Sequence, residues 1–321
     1  MKEIWVEKYR PTTLDEIVGQ DEVISRLKAY VKAGNLPHLL FAGPAGTGKT
    51  TSAIALAREL FGENWRANFA ELNASDERGI ETVRVKIKDI ARTAPIGERG
   101  FKIIFLDEAD NLTSDAQAAL RRTMENYTRT ARFVLSANYS SRIIEPIQSR
   151  TAVFRFRPVK PDGIRTYLDR IAKAEKLKVT KEGMDALVYI AQGDLRKAVN
   201  ALQVAAAVSP TIDEDALYKA ASTARPELVK NLLEVSLGGD FLKARDALDT
   251  LLIEYGLSGE DVIRAVHRTV FDLSVPDAFK VRLIDRVGEA EFRLVEGSNE
   301  RIQLEALLAH FVLVGQELRK K

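Results

Sequence analysis

The stretch Gly43-Pro44-Ala45-Gly46-Thr47-Gly48-Lys49-Thr50 follows the apolar run Leu39-Leu40-Phe41-Ala42. It therefore sets a glycine-rich phosphate loop between a strand and a helix, the context in which such a loop works. Successive backbone N–H groups in such a loop point inward at a triphosphate. Lys49 can reach the β and γ oxygens as a point charge, and the Thr50 hydroxyl can ligate Mg²⁺. The helix that begins there adds the positive end of its dipole, and Thr51 is the next residue along it. The pattern predicts binding of ATP or GTP.

At 321 residues the chain is longer than one hydrophobic core usually supports, and its 45% hydrophobic content is ample for two or three domains. No apolar stretch approaches the length of a membrane span. The N-terminus, Met1-Lys2-Glu3-Ile4-Trp5-Val6-Glu7-Lys8, lacks the apolar segment of a signal peptide. A cytoplasmic chain with no membrane partner is expected. With no cysteine, disulfides, thiol nucleophiles and zinc-thiolate sites are excluded, and His38, His267 and His310 lack metal-ligand spacing. They read as packing or surface residues. The net charge of +2 does not announce a nucleic-acid binder, so any such surface must be local.

Short apolar runs alternate with helical patterns through the first half, near Leu39–Ala42, Phe69–Leu72, Ile103–Leu106, Phe133–Ser136 and Val153–Phe156. That alternation predicts a parallel α/β sheet. Asp21 to Ala33 reads as a helix with Val23, Ile24, Leu27 and Val31 on one face and Gly34 as its stop. Ser114 with Gln117 reads as a capping box opening a helix to about Tyr127. After Arg157-Pro158-Val159-Lys160-Pro161 only helical periodicity is expected, with helices near 181–192 and 194–208. A second break at Ala224-Arg225-Pro226 precedes about five more helices. The last, near Asn299–Leu318, is apolar on nearly every side, which predicts burial inside its domain or against a neighbouring subunit.

The run Phe101 to Leu106 is a buried-type strand ending in Asp107 and Glu108, where an open α/β sheet presents catalytic groups. Asp107 is placed to hold Mg²⁺, and Glu108 to orient and deprotonate an attacking water. Two surface acids at a strand end are the bland alternative, which the upstream phosphate loop makes the weaker one. Carboxylates in both roles predict hydrolysis. The next strand delivers Asn138, whose amide can bond a γ-phosphate oxygen and the water. Arg150 precedes the last strand and Arg196 opens a later helix, and taken singly each is an ordinary surface arginine.

These residues resemble a family, the AAA+ ATPases, and within it the small subunits of replication factor C clamp loaders. The resemblance rests on Trp5-Val6-Glu7-Lys8-Tyr9-Arg10-Pro11, Val18-Gly19-Gln20, the phosphate loop and Glu71 to Ile80. It rests equally on Asp107-Glu108-Ala109-Asp110, Ser136-Ala137-Asn138, Ser149-Arg150 and Gly193-Asp194-Leu195-Arg196. It covers about the first two thirds of the chain; the last third is similar only in length and helicity. Where the family usually has Ser-Arg-Cys, this chain has Ser149-Arg150-Thr151.

The resemblance implies an AAA+ parallel-sheet domain over 1–160, a helical lid over 161–224 and an all-helical collar over 225–321 used in oligomerisation. It implies that Tyr9, Arg10, Pro11, Val18 and Gly19 line the adenine pocket, with Gly43, Pro44, Ala45, Gly46, Thr47, Gly48, Lys49, Thr50 and Thr51 around the phosphates. Asn138 is then a first sensor and Arg196 a second, reaching the γ-phosphate from the lid. Arg150 resembles a finger entering the neighbouring subunit's site, a device that contributes about 10³ to 10⁵ in rate in other nucleotide hydrolases.

From Arg78 to Lys102 there are seven basic residues against three acids, and Arg84, Lys88 and Arg92 fall at four-residue steps. Such a stripe can track phosphates without reading bases; alone, it also describes a solvated helix face with internal ion pairs. Members of the family line the ring interior with this helix, which implies contact with the backbone of primer-template DNA. Pro95 and Ile96, in a turn-forming segment, resemble the part that docks on a sliding clamp; by itself the segment is merely a loop. The expected function is an ATP-driven clamp-loader subunit working with Mg²⁺, a large subunit and further copies in a ring. A protein-remodelling AAA+ machine is the rival, although Ser75 to Gly79 lacks the aromatic of a threading loop. A scaffold that never hydrolyses is a third reading, opposed by the complete set Lys49, Thr50, Asp107 and Glu108.

Overall fold

Five apolar runs pair into one parallel sheet: β1 His38–Ala42, β2 Phe69–Asn73, β3 Lys102–Asp107, β4 Ala131–Ala137 and β5 Thr151–Arg155. In the computed structural model their order is β2-β3-β4-β1-β5. Residues 3–75, 81, 83–221 and 223–320 are described, without the side chains of Val83 and Arg84. All five strands read in the sequence are present. β1 is buried along its whole length because it lies between β4 and β5 with helices on both faces. Alternate residues point to opposite faces: Leu39 and Phe41 join a core with Leu27, Leu56 and Phe154, while Leu40 packs with Ile104, Leu120 and Phe133. His38 opens β1 as a packing residue, its Nδ1 accepting the Phe133 N–H at 3.0 Å. Burial pulls its pKa down to about 4, and the nearby Arg132 acts in the same direction.

The chain divides into two compact units, Met1–Ile212 and Asp213–Lys321. Beyond the sheet, the first holds helices Pro161–Ala174, Lys181–Ala191 and Leu195–Val208. The expectation of helices alone after Pro161 is corrected by a second, two-stranded parallel sheet, β6 Lys178–Val179 with β7 Thr211–Ile212. Two residues are too few to show alternation, but β-branched Val179, Thr211 and Ile212 suit the pairing.

The capping box is also corrected. The helix is Ser114–Asn126, and its cap is Thr113, whose side chain accepts the Ala116 N–H. Gln117 does not reach back to a cap, because its buried amide bonds the carbonyls of Leu112 and Arg142 and accepts the Ile144 N–H. The helix Asp21–Ala33 has the expected bounds and ends on Gly34 at φ 67°.

In the second unit, after helix Glu214–Ala221, the helices Pro226–Leu237, Phe241–Asp249, Gly259–Thr269, Asp277–Val295 and Glu300–Arg319 surround their own core. Leu304, Leu307, Leu308, Phe311 and Val314 of the last helix are buried in it, so the apolar inner face is satisfied within the unit. Ile302 and Leu313 are exposed. A Cβ at Gly315 would stand 1.9 Å from the Leu237 carbonyl oxygen, so glycine lets these two helices approach backbone to backbone. No described helix is long and apolar enough to cross a membrane.

Candidate nucleotide site

The carboxyl ends of β1, β3 and β4 lie side by side, and each delivers part of one cleft. Such edges are where ligands bind in open α/β sheets. The glycine-rich turn leaves β1 at Gly43, whose N–H donates to Ala137 O at 3.1 Å. Gly46 and Gly48 adopt φ of 67° and 97°, which side chains rarely tolerate, before the helix Lys49–Phe61 begins.

Lys49 is 8% exposed, and its ammonium donates to Gly43 O at 2.6 Å, Pro44 O at 2.8 Å and Asn138 Oδ1 at 3.0 Å. Burial pulls its pKa below the ordinary lysine range; Asp107 opposes this and Arg196 reinforces it. A triphosphate bound there would bring further negative charge to this buried cation. Thr50 donates its hydroxyl to Asp107 Oδ2 at 2.9 Å, while Asp107 Oδ1 accepts the Glu108 N–H at 3.0 Å. A hydroxyl beside a carboxylate at the start of a helix is a hard-oxygen pair that suits Mg²⁺.

Glu108 has φ 52°, the left-handed region, which turns the chain sharply at the end of β3. Its Oε2 accepts from the Ser75 hydroxyl and from Asn111 Nδ2, the latter at 3.1 Å. The cleft is lined by Arg10, Pro11, Val18, the loop from Ala45 to Thr51, Asp107, Glu108, Asn138 and Arg196. Val6, Ile17, Tyr167, Leu195 and Val199 also line it. The cleft is open to solvent at its mouth.

Two residues expected at the adenine are not in that lining. Tyr9 instead hydrogen-bonds Glu175 through its hydroxyl at 2.5 Å, and its carbonyl accepts from Tyr167 at 2.9 Å. Gly19, at φ 77°, provides a close approach to Val159. Gly43 and Pro44 contribute through their carbonyls to Lys49.

Arg196 lies at the first turn of helix Leu195–Val208, capped by Asp194, which accepts the Arg196 N–H at 2.9 Å. The helix start is tied to the phosphate loop, since Leu195 N–H donates to Gly46 O at 3.2 Å. A Cβ at Gly46 would fall 1.7 Å from Asp194 Oδ1, so that contact requires glycine. Gln20, buried in the Val-Gly-Gln motif, donates to Thr47 O at 3.2 Å and Arg157 O at 2.7 Å, joining the loop to the strand exit.

Arg150 is outside this chain's own cleft. Its Nε sits 2.7 Å from Glu125 Oε1 and one terminal nitrogen donates to Pro146 O at 2.8 Å. The basic segment is π-helical over Val83–Ile87 and α-helical over Lys88–Arg92. Arg78 and the rest of 76–80, and the side chain of Arg84, lie outside the described residues. Lys88 borders a groove with Arg122, and Arg92 donates to the Tyr127 hydroxyl at 3.0 Å. Ile96 is 56% exposed on a loop pinned by buried Asn68, which bonds both its N–H at 2.8 Å and its carbonyl at 2.7 Å; Pro95 is half-buried.

Two family models match the chain. The ATPase family associated with various cellular activities (AAA) covers residues 39–159, and the replication factor C C-terminal domain covers 224–310. The chain is 62% identical over 308 residues to the replication factor C small subunit of Archaeoglobus fulgidus, spanning 96% of this chain and 97% of that one. The corresponding protein of Methanocella arvoryzae is 59% identical over 313 residues, with 98% and 97% covered. Among solved structures, the Thermotoga maritima RuvB Holliday junction branch migration motor superposes with a TM-score of 0.55 at 19% identity, covering 78% of this chain and 86% of that one. That likeness concerns the fold alone.

Proposed function

Because the chain belongs to the replication factor C small-subunit family of AAA ATPases, we propose that it loads a DNA sliding clamp at the expense of ATP. ATP binding favours a conformation that opens the clamp and grips primer-template DNA, and hydrolysis releases both. Linkage requires ATP to bind that conformation more tightly than the empty one. One observation carries the reading: Lys49, the Thr50–Asp107 pair, Glu108, Asn138 and Arg196 converge on a single cleft.

In that cleft Arg10, Pro11 and Val18 flank the base, and the loop amides with Lys49 hold the phosphates. Thr50 and Asp107 hold Mg²⁺, which when bound neutralises charge on the phosphate oxygens. Glu108 orients water and takes its proton as the water oxygen bonds to the γ-phosphorus and the β–γ bridging P–O bond breaks. Asn138 and Arg196 contact the γ-phosphate, and Arg150 completes the site of the adjacent subunit.

The remaining assignments belong to the same proposal. Arg84, Lys88 and Arg92 follow the DNA backbone, and Pro95 with Ile96 docks on the clamp; the exposure of Ile96 on a pinned loop supports the latter. Functionally the chain divides at 160 and 224 into nucleotide-binding, lid and collar parts, the last supported by the family match beginning at 224. The collar joins further copies and a large subunit into an intracellular ring. The test is steady-state ATP hydrolysis by the assembled complex, with the clamp and primed DNA or with an unfolded protein. Stimulation by clamp and DNA together is expected; stimulation by the unfolded protein alone would favour a remodelling machine.

A further inference from the structure

The geometry points to Asp110 as the residue that positions Asn138. Asp110 lies in the single turn Ala109–Asn111 that follows Glu108, and it is 8% exposed. Its Oδ2 accepts two successive backbone N–H groups, from Asn138 at 3.2 Å and Tyr139 at 3.1 Å. These amides fall just past β4, which ends at Ala137, so they need an acceptor from elsewhere. A carboxylate gives them charge-assisted bonds, stronger than a carbonyl would.

The other oxygen, Oδ1, is buried and has no hydrogen-bond partner among the described residues. Burying half a carboxylate unpaired is costly for a role limited to capping a turn. The turn's place in the site supplies another role. One short segment carries Asp107, bonded to Thr50, then Glu108, then Asp110, bonded to the loop whose Asn138 Oδ1 lies 3.0 Å from Lys49 Nζ. Asp110 thus fixes the distance between the carboxylates that serve metal and water and the amide that meets the γ-phosphate. This rests on the role proposed above for Asn138.

Two readouts separate the inference from that role. Hydrogen exchange in the full-length protein reads the turn itself: Asp110→Ala should speed exchange of the Asn138 and Tyr139 amides by about tenfold or more. Single-turnover hydrolysis in the assembled complex should fall about tenfold while ATP affinity stays within about threefold. Asp110→Asn, which keeps an oxygen acceptor, should restore both. Adding Asp110→Ala to Asn138→Ala should cost no further hydrolysis. Unchanged exchange in Asp110→Ala overturns the inference, as does an additive loss in the double variant. Faster exchange with unchanged hydrolysis in both single variants overturns Asn138's role and leaves the turn assignment standing. If Asp110→Ala is insoluble, Asp110→Asn carries the test: near-normal exchange and rate support the inference, and a tenfold loss contradicts it.

Discussion

The Thr50 hydroxyl donates to Asp107 Oδ2 at 2.9 Å across 57 residues of sequence, joining the first turn after the phosphate loop to the end of β3. Neither residue is remarkable alone; the pair makes a hard-oxygen corner beside a buried lysine. Thr50→Ala should therefore lower hydrolysis by about 100-fold and raise the Mg²⁺ concentration needed for half-maximal rate. A Mg²⁺ titration of ATPase rate reads both, and an unshifted midpoint would remove Thr50 from the metal site.

Asp107 also receives the Glu108 N–H, so the two carboxylates share one local geometry. Glu108→Gln should leave ATP affinity within about threefold and cut turnover by about 10² to 10⁴, the usual range for losing a general base. Equilibrium binding beside single-turnover hydrolysis separates these effects. Loss of affinity equal to the loss of rate would mean that Glu108 holds the nucleotide and leaves the water alone.

His38 makes stability depend on acid. The folded protein holds it neutral, with a pKa of about 4 against 6.5 for an ordinary histidine. Its contribution is therefore complete above pH 6.5 and is lost as pH falls towards 4, amounting to about 3 kcal/mol across that window. Denaturant unfolding of the wild type and His38→Gln should converge as pH drops from 7 to 4. Parallel stability curves would show that another group carries the acid sensitivity.

Gly315→Ala places a methyl 1.9 Å from the Leu237 carbonyl oxygen, and backbone has little room to yield. The helical unit should lose about 1–3 kcal/mol, the range for overpacking. Thermal unfolding of the variant reads this directly, with little change expected in nucleotide affinity.

The α/β core and the phosphate loop were legible because their signals are local. Strands buried on both faces read as continuous apolar runs, and eight adjacent residues build the loop. Asp107 and Glu108 stand out in the sequence because they end a buried-type strand, whereas the sensor roles of Asn138 and Arg196 come only from the family resemblance. Gln20, Ser75 and Asp110 give no local signal as supporting residues, since their partners lie across folds of the chain: Gln20 bonds Arg157 across 137 positions. The resemblance alone places Tyr9 at the adenine; its hydroxyl donates to Glu175 at 2.5 Å. The helix cap slipped by one residue because Thr113 and Ser114 both offer a hydroxyl, and only the backbone decides which one remains outside the helix. The two-residue strands were invisible to any periodicity argument.

In the proposed mechanism a triphosphate held by one subunit is triggered by Arg150 of the next. Subunits carrying Lys49→Ala and subunits carrying Arg150→Ala should each form assemblies with little ATPase activity. Mixed before assembly, they create interfaces where an intact cleft faces an intact Arg150, so the measurement is the hydrolysis rate of the mixture. Recovery of a substantial fraction of wild-type turnover is predicted. A mixture no more active than its two components would contradict the account.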